Sequence, residues 1–97
     1  MLDKLKQMME FKQQADRIKR ELENMRIEVS DVRNIKIVIN GAQNFQAIEV
    51  SEELLGSQNK KKLEEELLRA INNAIGRAQA VGAKKMKDMV GLDMPGF

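Results

Sequence analysis

The run Ile27-Glu-Val-Ser-Asp-Val-Arg-Asn-Ile-Lys-Ile-Val-Ile-Asn-Gly-Ala-Gln-Asn-Phe-Gln-Ala-Ile-Glu-Val50 decides the fold. Within it, Ile27-Glu-Val29 alternates apolar and polar residues. Ile35, Ile37 and Ile39 alternate with Lys36, Val38 and Asn40, and Gln46-Ala-Ile48-Glu-Val50 alternates again. A period of two in β-branched residues reads as strand, because successive side chains in a strand point to opposite faces. Residues 30–34 supply one turn and Asn40-Gly41 the next, since Asn and Gly accept the positive φ of a tight hairpin. The spacing predicts three short antiparallel strands whose common apolar face needs a helical layer.

Upstream, Leu5, Met8, Phe11, Ala15, Ile18, Leu22 and Met25 follow one another at intervals of three or four. This is a helical stripe close to a coiled-coil seam, and it predicts a helix about 35 Å long. Downstream, Ser51-Glu-Glu-Leu-Leu-Gly56 reads as one capped helical turn, with Ser51 as N-cap, acidic residues at the positive end of the dipole and Gly56 as the stop. Ser57-Gln-Asn links it to a second long helical pattern, with Leu63, Leu67, Ile71, Ala74, Ala78, Val81, Lys85 and Met89 on or near one stripe. Gly76 and Gly82 lie inside that helix, each costing about 1 kcal/mol relative to Ala, which predicts close packing against another backbone, with a weak spot in the helix as the alternative. Gly91-Leu-Asp-Met-Pro-Gly-Phe97 ends the pattern and predicts a flexible tail over 91–97. The class is therefore α+β, a single domain over residues 1–90 in the order α-β-β-β-α. Its candidate core and dimer residues are Leu22, Ile37, Ile39, Ile48, Leu67 and Ile71.

The lengths carry an inference of their own. A compact chain of this size has a radius of gyration of about 12–13 Å, and so a diameter of roughly 32 Å. A helix over residues 60–90 is about 45 Å long and overhangs a three-stranded sheet. An overhanging apolar stripe calls for a partner, and a symmetric homodimer is the simplest one.

The 97 residues include no Cys and no His, which excludes a thiolate nucleophile, an imidazole base, a structural zinc site and disulfides. Ser30, Ser51 and Ser57 stand where turns and caps recruit Ser. Glu64, Glu65 and Glu66 point about 100° apart on a helix, so they do not converge on a metal and instead balance Lys60, Lys61 and Lys62 through pairs such as Lys61–Glu65. Gly41 is isolated, so there is no Gly-rich phosphate loop. Of the seven Met residues most, including Met8, Met9, Met25, Met86 and Met89, read as core filler at helical spacing, with a Met-rich binding groove as the alternative. No apolar run approaches the roughly 20 residues of a membrane span, and the first residues lack the unbroken apolar stretch of a signal peptide. The expectation is a cytoplasmic protein that is not an enzyme and takes no cofactor, metal, membrane or small-molecule substrate.

Charge becomes informative by segment. Residues 1–26 carry seven Lys/Arg against five Asp/Glu, residues 27–59 two against five, and residues 60–97 eight against five. Positive charge thus collects on the two helices. Arg17, Lys19 and Arg20 stand off the apolar stripe of the first helix. Arg77, Lys84, Lys85 and Lys87 lie in a stretch of the second with no acidic residue between Arg69 and Asp88. Solubility and i, i+4 pairing account for such residues in the ordinary case, whereas clustered and accessible cations also suit nucleic-acid phosphates. With three Phe and no Trp or Tyr, stacking platforms for single strands are missing, so duplex DNA held by its backbone is the better fit.

The block Ile37-Val-Ile-Asn-Gly-Ala-Gln-Asn-Phe-Gln-Ala-Ile-Glu-Val-Ser-Glu-Glu-Leu-Leu55 resembles the YbaB/EbfC family of bacterial nucleoid-associated proteins. The similarity extends to the Met/Gln/Lys-rich first helix, to Asn72-Asn73-Ala74 and to the Met-Pro-Gly-Phe ending, and so covers nearly the whole chain. One departure is the turn over residues 30–34, shorter than the Gly-rich turn often found there. The resemblance implies a tweezer-like homodimer that binds duplex DNA in the nucleoid and influences its organisation or gene expression, with no enzymatic activity. It carries over no site residue, so the DNA-contact candidates rest on charge placement. The competing reading is a protein-interaction or scaffolding module that binds a partner through its long helices.

Overall fold

The computed structural model describes residues 2–90; the tail expected over 91–97 lies outside the described residues. Helix α1 spans Leu2–Asn24, strands β1, β2 and β3 span Ile27–Val29, Ile35–Ile39 and Phe45–Val50, and helix α2 spans Lys60–Val90. Two 3₁₀ turns, Glu52–Leu54 and Ser57–Asn59, join β3 to α2. The Ser51 hydroxyl accepts from the Glu53 amide at 3.3 Å and caps the first of them. The α-β-β-β-α order and the antiparallel sheet β1-β2-β3 are those the alternation predicts.

Pairing Ile27 with Ile39, Val29 with Ile37, Ile37 with Ile48 and Ile35 with Val50 puts these β-branched residues on one face, with Val38 on the other. Helix α2 covers that face. Its line of closest approach is an alanine column, Ala70, Ala74 and Ala78, all buried, with Leu63, Leu67 and Ile71 packed partly buried around it. Small side chains at i, i+4 spacing let the helix sit close above the fully buried Ile37 and Ile39. Ala70 escaped the sequence stripe, and the larger residues expected at the centre flank it instead.

The register shifts between Val38 and Ile39: Val38 pairs with Ala47, and Ile39 with Phe45. Gln46 is thus an extra residue in β3. Phe45 and Ile48 are three apart and would point to opposite faces of a regular strand; the bulge brings both to the side of α2.

The β2–β3 connection departs from the tight Asn-Gly turn. Positive φ falls on Gln43 (67°), not on Gly41. Asn40 is buried and organises a wider loop. Its Oδ1 accepts from the amides of Ala42 (3.0 Å) and Asn44 (2.9 Å), while its Nδ2 donates to the Glu23 carbonyl at the end of α1 (3.2 Å). Gly41 is needed for proximity. Its amide donates to the Leu22 carbonyl at 2.8 Å, and a Cβ there would lie 2.9 Å from Met25 Sδ. Gly82 of α2 presses on the same loop, since a Cβ on it would stand 3.1 Å from the Gly41 carbonyl oxygen. The close approach expected of Gly82 is therefore present, whereas a Cβ on Gly76 meets nothing within 4 Å. Asn40→Ala removes three hydrogen bonds at this junction and is expected to cost about 2–3 kcal/mol in urea unfolding. Asn40→Asp, which keeps both acceptor bonds and loses the donor, should fall between the two.

The molecule is elongated, 67 × 23 × 16 Å with a radius of gyration of 18.7 Å, well beyond the compact value. Helix α1 causes this. Its buried residue is Ile18, and the outer half carries Leu5, Met8 and Phe11 exposed. Phe11, expected in a covered seam, is 71% exposed because the helix runs past the other described elements.

Candidate nucleic-acid interface

The two helices meet around Leu22, which contacts both Gly41 and Gly82, and around an ion pair between Lys85 and Glu21 at 3.0 Å. Beyond this junction α1 projects as an arm. Arg17 stands one turn from Glu21 on the same side of α1, and Lys19 and Arg20 lie between them in sequence. Lys84 and Lys87 flank Lys85 on α2. Arg17, Lys19, Arg20, Lys84 and Lys87 form no ion pair among the described residues. Arg17, Lys19, Arg20 and Lys84 are exposed, and Lys87 is half-buried.

Two of the seven basic candidates stand differently. Arg77 donates to Asp31 Oδ1 at 2.7 Å, tying α2 to the β1–β2 turn. Lys85 ties α2 to α1 through Glu21. Both bonds join elements far apart in sequence, so each cation already has a structural partner, and nothing local in the sequence signals it. Among the seven candidates, those without an ion pair among the described residues thus lie on the α1 arm and beside its junction with α2.

Elsewhere several charges pair locally. Lys60 pairs with Glu64 at 3.8 Å, in place of the expected Lys61–Glu65, and Arg69 pairs with Glu66. Lys36 and Arg26 converge on Glu28. No group of three or more His, Cys, Asp or Glu that could hold a metal occurs among the described residues, and none of their helices is long and apolar enough to cross a membrane.

The candidate core and dimer residues fall into two sets. Ile37 and Ile39 are fully buried, and Leu22, Leu67 and Ile71 are half-buried. Ile48 is not in the core. It is 51% exposed on the outer strand β3, where Phe45, Gln46, Ala47, Ile48 and Ile71 line an open groove of about 310 Å³.

The elongated α-β-β-β-α frame, with its cation-bearing arm, has relatives. The YbaB/EbfC DNA-binding family matches residues 1–93. A nucleoid-associated protein of Prochlorococcus marinus strain MIT 9312 is 37% identical over 92 residues, covering 91% of this chain and 78% of its own. Nucleoid-associated proteins of Clostridium kluyveri and Pelotomaculum thermopropionicum are each 30% identical over 95 residues, 96% of this chain, and 83% and 90% of their own lengths respectively. With the match running through both helices and the whole sheet, the chain belongs to the YbaB/EbfC DNA-binding family.

Proposed function

We propose that this chain is a nucleoid-associated protein that holds duplex DNA as a homodimer, mainly through phosphate contacts, and so influences nucleoid organisation and gene expression. The observation that carries the reading is the set of cations without an ion pair among the described residues, Arg17, Lys19, Arg20, Lys84 and Lys87, gathered around the α1–α2 junction, while Lys85 is engaged with Glu21 within that junction and Arg77 with Asp31. Clustered and accessible Lys and Arg suffice for phosphate binding, and the names of the relatives support DNA as the ligand. The nucleoid within the cytoplasm is the corresponding location.

The homodimer is supported by the outer edge of β3. That strand has six residues, Phe-Gln-Ala-Ile-Glu-Val, and lacks the Lys or Pro that commonly blunts a free edge. Phe45, Ile48 and Leu68 are exposed large apolar residues, and Ile71 lines the groove between the strand and α2. A second copy pairing along β3 satisfies the edge amides and carbonyls and covers the groove in one step. The two arms then project from one continuous sheet as a pair.

The test is a salt series of mobility-shift titrations on random-sequence duplex. Each phosphate contact adds about −0.9 to the slope of log affinity against log salt. In a dimer every contact occurs twice, so replacing Lys84 and Lys87 by Ala should flatten the slope by up to about 3.6 and weaken all duplexes alike. Arg17 and Arg20 changed together to Ala should behave in the same way. Replacing Lys60, Lys61 and Lys62 is the control, with little expected change beside Glu64–Glu66. An unaltered slope in the Lys84/Lys87 variant removes that helix end from the interface, and protein capture without duplex binding establishes the scaffolding alternative.

A further inference from the structure

The apolar stripe of α1 changes character along the helix. At about 100° per residue, Ala15, Ile18 and Leu22 fall within an arc of about 60°, a seam that one neighbouring helix can cover. Ile18 is buried there, and Leu22 lies against Gly41 and Gly82. The contacts Leu22–Gly82 and Glu21–Lys85 show that the two helices run antiparallel, since the partners on α1 recede toward its N-terminus as α2 advances. Helix α2 ends at Val90. At about 1.5 Å per residue, it stops level with Asp16.

Beyond that point the apolar arc widens. Leu2, Leu5, Met8, Met9 and Phe11 spread over about 180°, half the circumference of the helix. Their exposure runs from 58% at Leu5 to 82% at Leu2. Lys4 and Lys12 fall within the same half, whereas Asp3, Lys6, Gln7 and Glu10 make up the other. Both carboxylates of this outer stretch therefore point away from its apolar side. Lys4 and Lys12 are exposed and form no ion pair among the described residues.

Two properties select what fits this face. Its width is that of a plane and not of a helix: a coiled-coil partner covers a narrow seam, whereas a helix lying in an interface buries one whole side. Its charge is positive throughout, so a second copy of the same face brings no carboxylate to Lys4 or Lys12. A bilayer of anionic lipid answers both properties. Its acyl region takes the large apolar side chains, and its phosphates take the ammonium groups. The lysine stems lie along the apolar surface while their charged ends reach the headgroups. The expectation of no membrane partner came from the missing span. No described helix is long and apolar enough to cross a membrane, but a helix lying on the surface needs no such length.

We propose that the outer half of α1, from Leu2 to Lys12, docks flat on an anionic lipid surface with Leu5, Met8 and Phe11 toward the acyl chains. Asp3 and Glu10 then face water. Arg17, aligned with Lys6 and Glu10 on the helix, stays off the lipid, so the docked arm keeps that cation available. The docking does not rest on the DNA reading, because it uses the opposite face of the arm.

The test uses the full chain with vesicles of phosphatidylglycerol and phosphatidylcholine in equal parts, against vesicles of phosphatidylcholine alone. Co-sedimentation should show binding at least about tenfold tighter to the anionic vesicles. Lys4→Ala with Lys12→Ala should weaken it about 30-fold. Leu5→Ser with Phe11→Ser should weaken it by about tenfold or more, with circular dichroism confirming that changes at these exposed positions leave the fold intact. Lys84→Ala with Lys87→Ala, off the outer arm, should change it by less than about twofold. The lack of native Trp provides a second reading. Emission from Phe11→Trp should shift to the blue on anionic vesicles, and that from Glu10→Trp, on the opposite side of the helix, should not. Equal binding to both vesicle types, or a loss that follows Lys84 and Lys87 and not Lys4 and Lys12, overturns the proposal. So does a blue shift of Phe11→Trp that grows with protein concentration in the absence of vesicles, which assigns the face to a second copy. Failure to bind either vesicle overturns it as well and turns the search to an acidic protein surface.

Discussion

Ile48→Lys is expected to yield a monomer. Ile48 pairs with Ile37 across the sheet yet stands half-exposed on β3, so a lysine there leaves the core intact and places a charge in the proposed seam. An unpaired charge buried at an interface costs about 3–5 kcal/mol, which raises the dimer dissociation constant by about 100-fold or more. Sedimentation equilibrium at micromolar concentration reads the result directly. Because the dimer doubles every phosphate contact, the salt slope for duplex binding should fall by about half in the same variant. Leu68→Lys, on the α2 side of the groove, should act in the same direction. A dimer that survives both changes lies along some other surface.

Ile37→Ala should produce the largest loss of fold stability. The side chain is fully buried at the centre of the sheet under the alanine column of α2. Truncating such a residue costs about 2–5 kcal/mol, a large share of the 5–15 kcal/mol typical of a whole domain. The converse change, Ala74→Leu, fills the line of closest approach and pushes α2 off the sheet, at about 1–3 kcal/mol. Urea unfolding at fixed protein concentration measures both, the concentration being held because dimerisation adds to apparent stability. A Leu at position 74 that leaves the midpoint unchanged would mean that α2 is not held closely to the strands.

The periodicities of the chain were sufficient for the element order, because helix and strand periods differ and each run here is long enough to declare one. They were silent where one residue changes the geometry. Nothing in Phe45-Gln-Ala-Ile48 marks Gln46 as a bulge, yet the bulge is what sets Phe45 beside Ile48. Asn40-Gly41 was legible as a turn but not as a docking point, since the reason for Gly41 is the backbone of α1 and not its own φ. The charge clusters were visible, but Glu21 and Lys85 are 64 residues apart and Asp31 and Arg77 are 46 apart. Only the fold could reveal that two of seven cations are already engaged. Phe11 was misplaced for a related reason: periodicity shows which side of a helix is apolar, not how far along it the cover extends.

The hydrogen bonds from Asn40 and Gly41 to the last turn of α1 make the β2–β3 loop the mounting of the arm. The loop opens directly into β3, and Phe45 is its first strand residue. In a dimer closed along β3, the angle of each arm is set a few residues from the symmetry axis, and a small rotation at the mounting is magnified along some 30 Å of helix. The opening between the arms therefore behaves like the setting of a calliper, adjusted at the pivot. On the proposed reading, a change in this short loop would reset that opening while every cation on the arm stays the same.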